Sequence, residues 1–191
     1  TNVDQPTAGN RVFTLTQVKD SGGVANSGVD TTTLSVASTV AVATVNDAPT
    51  LTATAANPTF TEGLGAGVQG AAVSVFSGAA ASTVETGQTI TGLTFTVSGL
   101  VDGANETIVV DGKTITLGAT GSGTTTTNGL SYTATVSGGT ATVVLSGGTL
   151  NATATQALVN GITYQNTNVD QPTAGNRVFT LTQVKDSGGV A

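Results

Sequence analysis

Acidic and amide side chains are the only groups in this sequence that suggest chemistry. The 191 residues include 11 Asp and Glu but no His, Cys, Met or Trp. His and Cys are the usual bases and nucleophiles of active sites, so acid–base catalysis would fall on carboxylates that are scattered along the chain. The sequence therefore predicts that the protein is not an enzyme.

The absence of Cys also limits how the fold can be made rigid. Disulfides are excluded, so an extracellular protein of this composition would need a large core or bound calcium, which takes oxygen ligands. The glycine-rich calcium nonapeptide G-G-x-G-x-D does not occur, which argues against a β-roll. Any calcium site must therefore be built from dispersed Asp, Glu, Asn and backbone oxygens.

Charge argues against nucleic acid as a partner, and hydropathy argues against membrane insertion. The net charge is −6, and only five Lys and Arg are spread over the chain. Five dispersed cations cannot form the basic stripe that nucleic acids require. No stretch reaches the 18 or so consecutive apolar residues of a membrane span, and no signal-peptide pattern opens the chain, so we expect no membrane insertion and a secretion signal elsewhere in a parent protein.

The clearest organising feature is an exact internal repeat. The sequence TNVDQPTAGNRVFTLTQVKDSGGVA occupies residues 1–25 and recurs without change as residues 167–191. Identity at an offset of 166 residues indicates tandem repeats that have had little time to diverge. We call residues 1–25 copy one and residues 167–191 copy two, and we expect neighbouring repeats of the same chain to be the main partners.

The composition predicts an all-β fold. Thr and Val are abundant and suit a half-buried strand, whereas 26 Gly supply turns. Residues 107–117 read as a hairpin around Asp111-Gly112, a favoured type I′ turn. Only residues 151–160 resemble a helix, with Asn151 as a cap. Strands are predicted at 11–18, 31–45, 51–60, 71–76, 89–97, 130–136 and 140–146, with loops at 77–88 and 118–128.

A domain boundary is predicted at Asn46-Asp47-Ala48-Pro49, because Pro49 cannot donate to a strand ladder and favours extended geometry before it. Residues 1–47 are then the C-terminal strands of a preceding repeat, and residues 48–191 form the next repeat without its last strand. In the alternative, residues 1–47 dock onto the rest and complete a single sandwich. The sequence leaves both interpretations open.

Two short motifs carry a family resemblance. Val18, Asp20 and Gly22 in V-x-D-S-G-G, followed by a strand and then V-N-D-A-P, resemble the C-terminal half of cadherin repeats. The whole unit, with phrases such as STVETGQTITGLTFTV and TTNGLSYTATVSGGTATV, is similar to cadherin-like repeats of giant bacterial surface adhesins of the RTX, type-I-secreted class. The resemblance implies an Ig-like, cadherin-like antiparallel β-sandwich repeated every 166 residues.

The resemblance also implies calcium at the junctions between repeats. Carried over by position, Asn46 and Asp47 lie in the linker, and Asp186 lies in the following unit. Glu62 would serve the next junction and Asp20 the previous one. Thr44 stands where the longer linker motif has an Asp, and D-R-E and D-A-D elements do not occur, so one ion per junction, or none, is expected.

Other acidic residues are weaker candidates. Asp20 and Asp30 form a second possible pair of ligands, although Asp-Ser-Gly-Gly is also a turn sequence. Glu85 and Asp102 are further candidates that equally suit capping roles. Asp111 is expected to serve the hairpin turn alone.

The resulting functional expectation is a structural extender. One of many extracellular repeats would project an adhesive region from a bacterial cell surface, while the adhesive ligand binds elsewhere in the parent protein. Two alternatives are a surface filament that polymerises by strand exchange and a module that itself binds a glycan or a surface. The small number of aromatic residues, five Phe and two Tyr, disfavours the last of these.

Overall fold

A computed structural model describes residues 3–189 of the protein, which divide into two compact units at Val45 and Asn46. The division falls two residues before the predicted boundary at Ala48, within the same Asn-Asp-Ala-Pro stretch. Whether residues 1–47 belong to a preceding repeat stays a prediction.

Unit one is a two-stranded antiparallel ribbon. Strand β1 (Gly9–Lys19) pairs with strand β2 (Thr31–Val42), from Gly9 opposite Val42 to Lys19 opposite Thr31. A 3₁₀ turn at Ala25–Ser27 lies in the connection. Two strands have no second layer against which to bury an apolar face, and Phe13 and Leu15 are accordingly 65% and 64% exposed.

Between residues 46 and 189, unit two contains eleven strands, one α-helix and a 3₁₀ turn at Gly103–Asn105. In chain order these are β3 (Thr50–Ala55), β4 (Val73–Ser74), β5 (Phe76–Ser82), β6 (Ile90–Ser98), β7 (Glu106–Val110), β8 (Lys113–Thr116), β9 (Gly121–Thr124), β10 (Ser131–Ser137), β11 (Thr140–Leu150), α1 (Ala152–Asn160), β12 (Thr163–Asn166) and β13 (Val178–Asp186). None of the helices within residues 3–189 is long and apolar enough to cross a membrane.

The strands of unit two form antiparallel sheets, which confirms the all-β prediction. One sheet has five strands in the order β13-β6-β11-β10-β9, and another has four in the order β4-β12-β7-β8. Strands β3 and β5 form a separate pair. Strand β13 lies at one edge of the five-stranded sheet and pairs only with β6 among the described strands.

Both larger sheets contribute side chains to one apolar core. Alternation along β6 buries Leu93, Phe95 and Val97, while β7 buries Ile108 and Val110. Copy two adds Phe179, Leu181 and Val184 from β13, which are partly buried against this core. The same three side chains in copy one, Phe13, Leu15 and Val18, are exposed.

Local signals were most accurate at the hairpin and the helix. Asp111 and Gly112 have φ values of 49° and 76°, as a type I′ turn requires, between β7 and β8. Helix α1 begins after Asn151, whose Oδ1 accepts a hydrogen bond from the Ala154 backbone N–H at 2.8 Å. Both predictions are confirmed.

Three predicted segments were wrong in extent. Residues 118–128 are not wholly a loop, because β9 pairs with β10 through exposed Gly and Ser residues that show no apolar alternation. Residues 71–76 are not one strand, since β4 ends at Ser74 and β5 runs on to Ser82 through the predicted loop at 77–88. The strand predicted at 51–60 ends at Ala55, ahead of Pro58.

Candidate functional site

A polar cluster lies where the chain enters unit two. The Asp47 backbone N–H donates to Glu85 Oε1 at 2.7 Å, and Gln88 Nε2 donates to Asn46 Oδ1, also at 2.7 Å. Asn46 Nδ2 donates to the Gly189 carbonyl at 3.3 Å. These bonds join the entering segment to the turn after β5 and to the residues that follow β13.

The turn after β13 approaches these residues, because Gly189 accepts from Asn46 and Ser187 Oγ accepts from the Thr89 N–H. Asp186 lies opposite Ile90 in the β13–β6 ladder, and its carbonyl accepts a hydrogen bond from Thr91 Oγ1 at 2.8 Å. Asp186 Oδ1 accepts from the Gly188 N–H at 3.0 Å, which is a local turn contact. We call Asn46, Asp47, Glu85, Gln88 and Asp186 the linker cluster.

Three buried oxygens of the linker cluster have no hydrogen-bond donor within residues 3–189. They are Glu85 Oε2, Gln88 Oε1 and Asp186 Oδ2. A buried acceptor without a partner costs on the order of 1–3 kcal/mol, and native structures contain few of them. All three atoms are acceptors, so what would satisfy them is a bound donor or a cation.

The oxygen chemistry of the linker cluster suits a hard cation. Glu85 and Asp186 offer carboxylates, and Gln88 and Asn46 offer amide oxygens, which are ligand types that calcium accepts. No group of three or more His, Cys, Asp or Glu side chains converges within the described part of the chain. A calcium ion here would therefore rely largely on amide, backbone or water oxygens.

The remaining predicted ligands lie outside this cluster or face away from it. The side chain of Asp47 is exposed, and Glu62 is exposed in the segment after β3. Asp20 Oδ1 accepts from the Gly22 N–H at 2.8 Å, the turn contact that its sequence also allowed. Asp30 forms an ion pair with Lys19 Nζ at 3.0 Å. The Thr31 hydroxyl and then Lys19 hold the pKa of Asp30 below its ordinary value.

Comparison with protein-family models, with characterised proteins and with solved structures produced no match to this chain.

A second cluster, which the sequence did not predict, surrounds Arg177 in copy two. Arg177 Nε donates to Glu106 Oε2 at 2.9 Å, and Nη2 donates to Glu106 Oε1 at 3.1 Å. Nη2 also lies 3.4 Å from Asp102 Oδ2. The two hydrogen bonds make the ion pair bidentate, and the Glu106 side chain is 0% exposed, so the pair is buried. We call Asp102, Glu106, Tyr164 and Arg177 the arginine clasp.

Glu106 is fully satisfied by its surroundings. Its Oε1 accepts the backbone N–H groups of Val101 and Asp102, each at 2.8 Å, and its Oε2 accepts the Tyr164 hydroxyl at 3.0 Å. Burial is the largest influence and raises the pKa of Glu106, but the hydrogen bonds from Arg177, these backbone groups and Tyr164 outweigh it. The pKa of Glu106 therefore lies below its ordinary value, and the carboxylate is ionised at neutral pH.

Asp102 fastens the segment that leads into β13. Its carboxylate accepts the Thr173 backbone N–H at 2.8 Å, the Thr173 hydroxyl, and Asn166 Nδ2 at 2.5 Å. Burial raises the pKa of Asp102, yet these bonds from Thr173 and Asn166, with the charge of Arg177, bring it below its ordinary value. Burial and the neighbouring Glu106 charge raise the pKa of Tyr164, which stays a neutral donor.

The two copies of the repeated sequence differ at this point. Arg11 occupies the position of Arg177 but donates only to the backbone carbonyls of Thr7, Gly9 and Asn10. It forms no ion pair with any residue between 3 and 189. The arginine clasp was invisible in the sequence because its acids precede Arg177 by 71 and 75 positions and share no motif with it.

Asp111 does more than the predicted turn chemistry. Beside its place in the turn, Asp111 Oδ2 accepts the Thr125 hydroxyl at 2.5 Å and the Asn128 N–H at 3.0 Å. Asn128 Nδ2 donates to its other oxygen, also at 2.5 Å. This carboxylate thus holds the turn between β9 and β10 against the β7–β8 hairpin.

Proposed function

We propose that the protein is a structural extender from a large bacterial surface adhesin, in which Ig-like, cadherin-like antiparallel β-sandwiches recur every 166 residues outside the cell. The observation that carries this proposal is the exact repetition of copy one in copy two. Low charge, the absence of His and Cys, and the all-β fold support it. Such a repeat would connect and space, whereas adhesion would occur elsewhere in the parent protein.

In such an array, the positions at which the chain enters unit two and leaves β13 would determine where the next repeat begins. β13 ends at the linker cluster, beside the residue at which the chain enters unit two. In copy one, the same sequence is followed by β2, which runs antiparallel to β1 over Thr31–Val42. A strand of that kind after β13 would return the chain to the opposite end. Its 12 residues correspond to about 40 Å at 3.4 Å per residue.

The linker cluster is the part of the unit that would control stiffness. The Asp47 and Asn46 bonds hold the entering segment to Glu85 and Gln88. A calcium ion held by Glu85, Asp186, Gln88 and Asn46 would neutralise two carboxylates and add ligand bonds between the entering segment and the rest of unit two. The three buried oxygens without donors support this assignment.

Small-angle X-ray scattering on proteins with one, two and four repeats tests the proposal. Each added repeat should lengthen the particle by about 40 Å, the length of one strand. Calcium should raise the maximum dimension relative to chelator, because it stiffens the joints. A compact particle whose length does not grow with repeat number, with or without calcium, would overturn the extender function.

A variant with Glu85→Gln and Asp186→Asn in every repeat separates the metal from the architecture. Under the proposal, this variant still lengthens with each repeat but no longer responds to calcium. If the response to calcium persists unchanged, the linker cluster is not the metal site.

A further inference from the structure

The sequence contains two Asn-Gly pairs, Asn128-Gly129 and Asn160-Gly161, and all four residues are exposed on unit two. Asparagine is among the chemically labile side chains of proteins. When glycine follows it, the glycine nitrogen can attack the side-chain amide carbon, because no Cβ obstructs the approach. Whether this reaction occurs in a folded protein depends on the bonds that already engage the reacting groups.

Helix α1 protects the pair Asn160-Gly161. Asn160 is the last residue of the helix, and the Gly161 N–H donates to the Ala157 carbonyl at 2.9 Å. The Asn160 side chain is also engaged, because its Oδ1 accepts the Ala79 N–H at 3.0 Å. Attack by the Gly161 nitrogen would break both bonds and unwind the last turn of the helix. We therefore expect this pair to react slowly.

The pair Asn128-Gly129 lies in the turn between β9 and β10 and lacks this protection. The Gly129 N–H donates to no group within residues 3–189. Gly129 has a φ of 68°, and apart from its chain neighbours no heavy atom lies within 4 Å of the place that a Cβ would occupy. The attacking nitrogen is therefore unengaged and unobstructed.

The Asn128 side chain faces a carboxylate. Its Nδ2 donates to Asp111 Oδ1 at 2.5 Å, and its backbone N–H donates to Asp111 Oδ2 at 3.0 Å. Asp111 is buried, with 7% of its surface exposed. The Nδ2 bond is one of those that hold the turn after β9 against the β7–β8 hairpin. Loss of the amide group would remove a donor from a buried carboxylate.

We propose that Asn128 is a site of spontaneous covalent modification, at which the side-chain amide becomes a carboxylate. The Gly129 nitrogen forms a bond to Asn128 Cγ and gives up its proton, the Cγ–Nδ2 bond breaks, and Nδ2 leaves as ammonia. Water then opens the cyclic imide at either of its carbonyl carbons, which gives aspartate or isoaspartate. The reaction consumes water and releases ammonia, and it requires no oxidant or reductant.

The product places a second negative charge against Asp111. Two carboxylates at hydrogen-bond distance repel each other, and the donor that Asp111 loses is not replaced. The turn should therefore separate from the β7–β8 hairpin, which loosens β9 at the edge of the five-stranded sheet. All groups involved lie within residues 111–129, so neither calcium nor the extender function is needed.

Mass spectrometry of the ageing protein tests the site. The full chain is incubated at neutral pH and digested with trypsin, which leaves both Asn-Gly pairs in one peptide, residues 114–177. Fragmentation of this peptide compares the two sites within the same molecule. Asn128 should convert at least tenfold faster than Asn160, to both aspartate and isoaspartate. Equal rates at the two sites, or an unmodified Asn128, would overturn the proposal.

Gly129→Asn tests the chemical route. Asparagine tolerates the positive φ of this position, so the turn can still form, but its side chain hinders attack by the backbone nitrogen. Conversion of Asn128 should slow at least tenfold. An unchanged rate would contradict the cyclic imide.

The effect on the turn is tested with Asn128→Asp, which reproduces the product. Its midpoint of urea unfolding, followed by Tyr fluorescence, should be lower than that of Asn128→Ala, which removes the donor without adding a charge. Adding Asp111→Asn to Asn128→Asp should restore part of the loss, because one donor and one carboxylate face each other again. If Asn128→Asp is as stable as Asn128→Ala, or if the exchange restores nothing, the proposed release of the turn is wrong.

Discussion

Arg177 and Glu106 form a bidentate ion pair in which the carboxylate is fully buried. This pair holds copy two to the rest of unit two. Arg11, the same residue in copy one, donates to backbone carbonyls and forms no ion pair within residues 3–189. One sequence therefore occupies two environments in a single chain. Equivalent substitutions in the two copies can therefore serve as matched controls for each other.

Arg177→Ala should strongly destabilise unit two, while Arg11→Ala should not. Removing one partner of a buried ion pair leaves an uncompensated charge and typically costs about 3–5 kcal/mol, whereas exposed substitutions stay within about 0.5 kcal/mol. Both Tyr residues belong to unit two and Trp is absent, so Tyr fluorescence during urea unfolding reports on unit two alone. Comparable losses in the two variants would contradict the structural role of the arginine clasp.

Acid should destabilise unit two through Glu106 and Asp102. Their pKa values are lower in the folded than in the unfolded chain, so the unfolded chain binds protons first as the pH falls. The contribution is complete above the unfolded pKa of about 4 and is lost as the pH falls through the folded values. The free energy of unfolding, measured at pH values from 7 to 3, should therefore decrease once the pH drops below about 5.

Glu106→Gln is the control for this pH dependence. It removes one titrating group, so the variant should be less stable at pH 7 and should lose less stability between pH 5 and pH 3. An unchanged slope would assign the acid sensitivity to other carboxylates.

Asp186→Asn should abolish calcium binding, and Asp20→Asn should not. Asp186 carries one of the three buried oxygens without a donor, whereas the Asp20 carboxylate accepts the Gly22 N–H in a local turn. Isothermal titration calorimetry on the wild type and both variants makes the comparison, because both Asp residues lie in the same DSGG sequence. Loss of binding in the Asp20 variant alone would place the ion in unit one instead.

Asp111→Asn should show how much of the stability contributed by Asp111 comes from its hydrogen bonds and how much from its place in the turn. Asn-Gly suits a type I′ turn as well as Asp-Gly does. The amide, however, would place a donor against the Thr125 and Asn128 donors that now surround Asp111. We expect a loss of about 1–3 kcal/mol in urea unfolding, as for an unsatisfied buried polar group. A neutral effect would show that Asp111 acts through the turn alone.

The elements that the sequence predicted correctly are those whose signal lies within a short stretch of residues. Alternation located β6, Asp111-Gly112 located the hairpin, and Asn151 located the helix start. β9 escaped because its pairing is made by the backbone of exposed small residues, which leaves no apolar pattern to detect.

The sites were predicted less well because their parts are distant in sequence. Asn46 and Asp186 were singled out, and Asn46 bonds to Gln88 and to Gly189, whereas Gln88 was not considered and Glu85 was only a weaker candidate. Arg177 was missed because its role is set by Glu106 and Asp102, which only the β13–β6 pairing brings near it. Metal binding by the linker cluster stays a prediction.

The long-range pairing of β6 with β13 also affects how the chain folds while it is being synthesised. β6 ends at Ser98, and its partner is complete only at Asp186, so nearly the whole of unit two must leave the ribosome before this edge is filled. An identical strand, β1, has been available since residue 19. Topologies with such distant partners fold slowly and expose unpaired edges on the way. The repetition that makes the array uniform therefore offers β6 a wrong partner well before the right one exists.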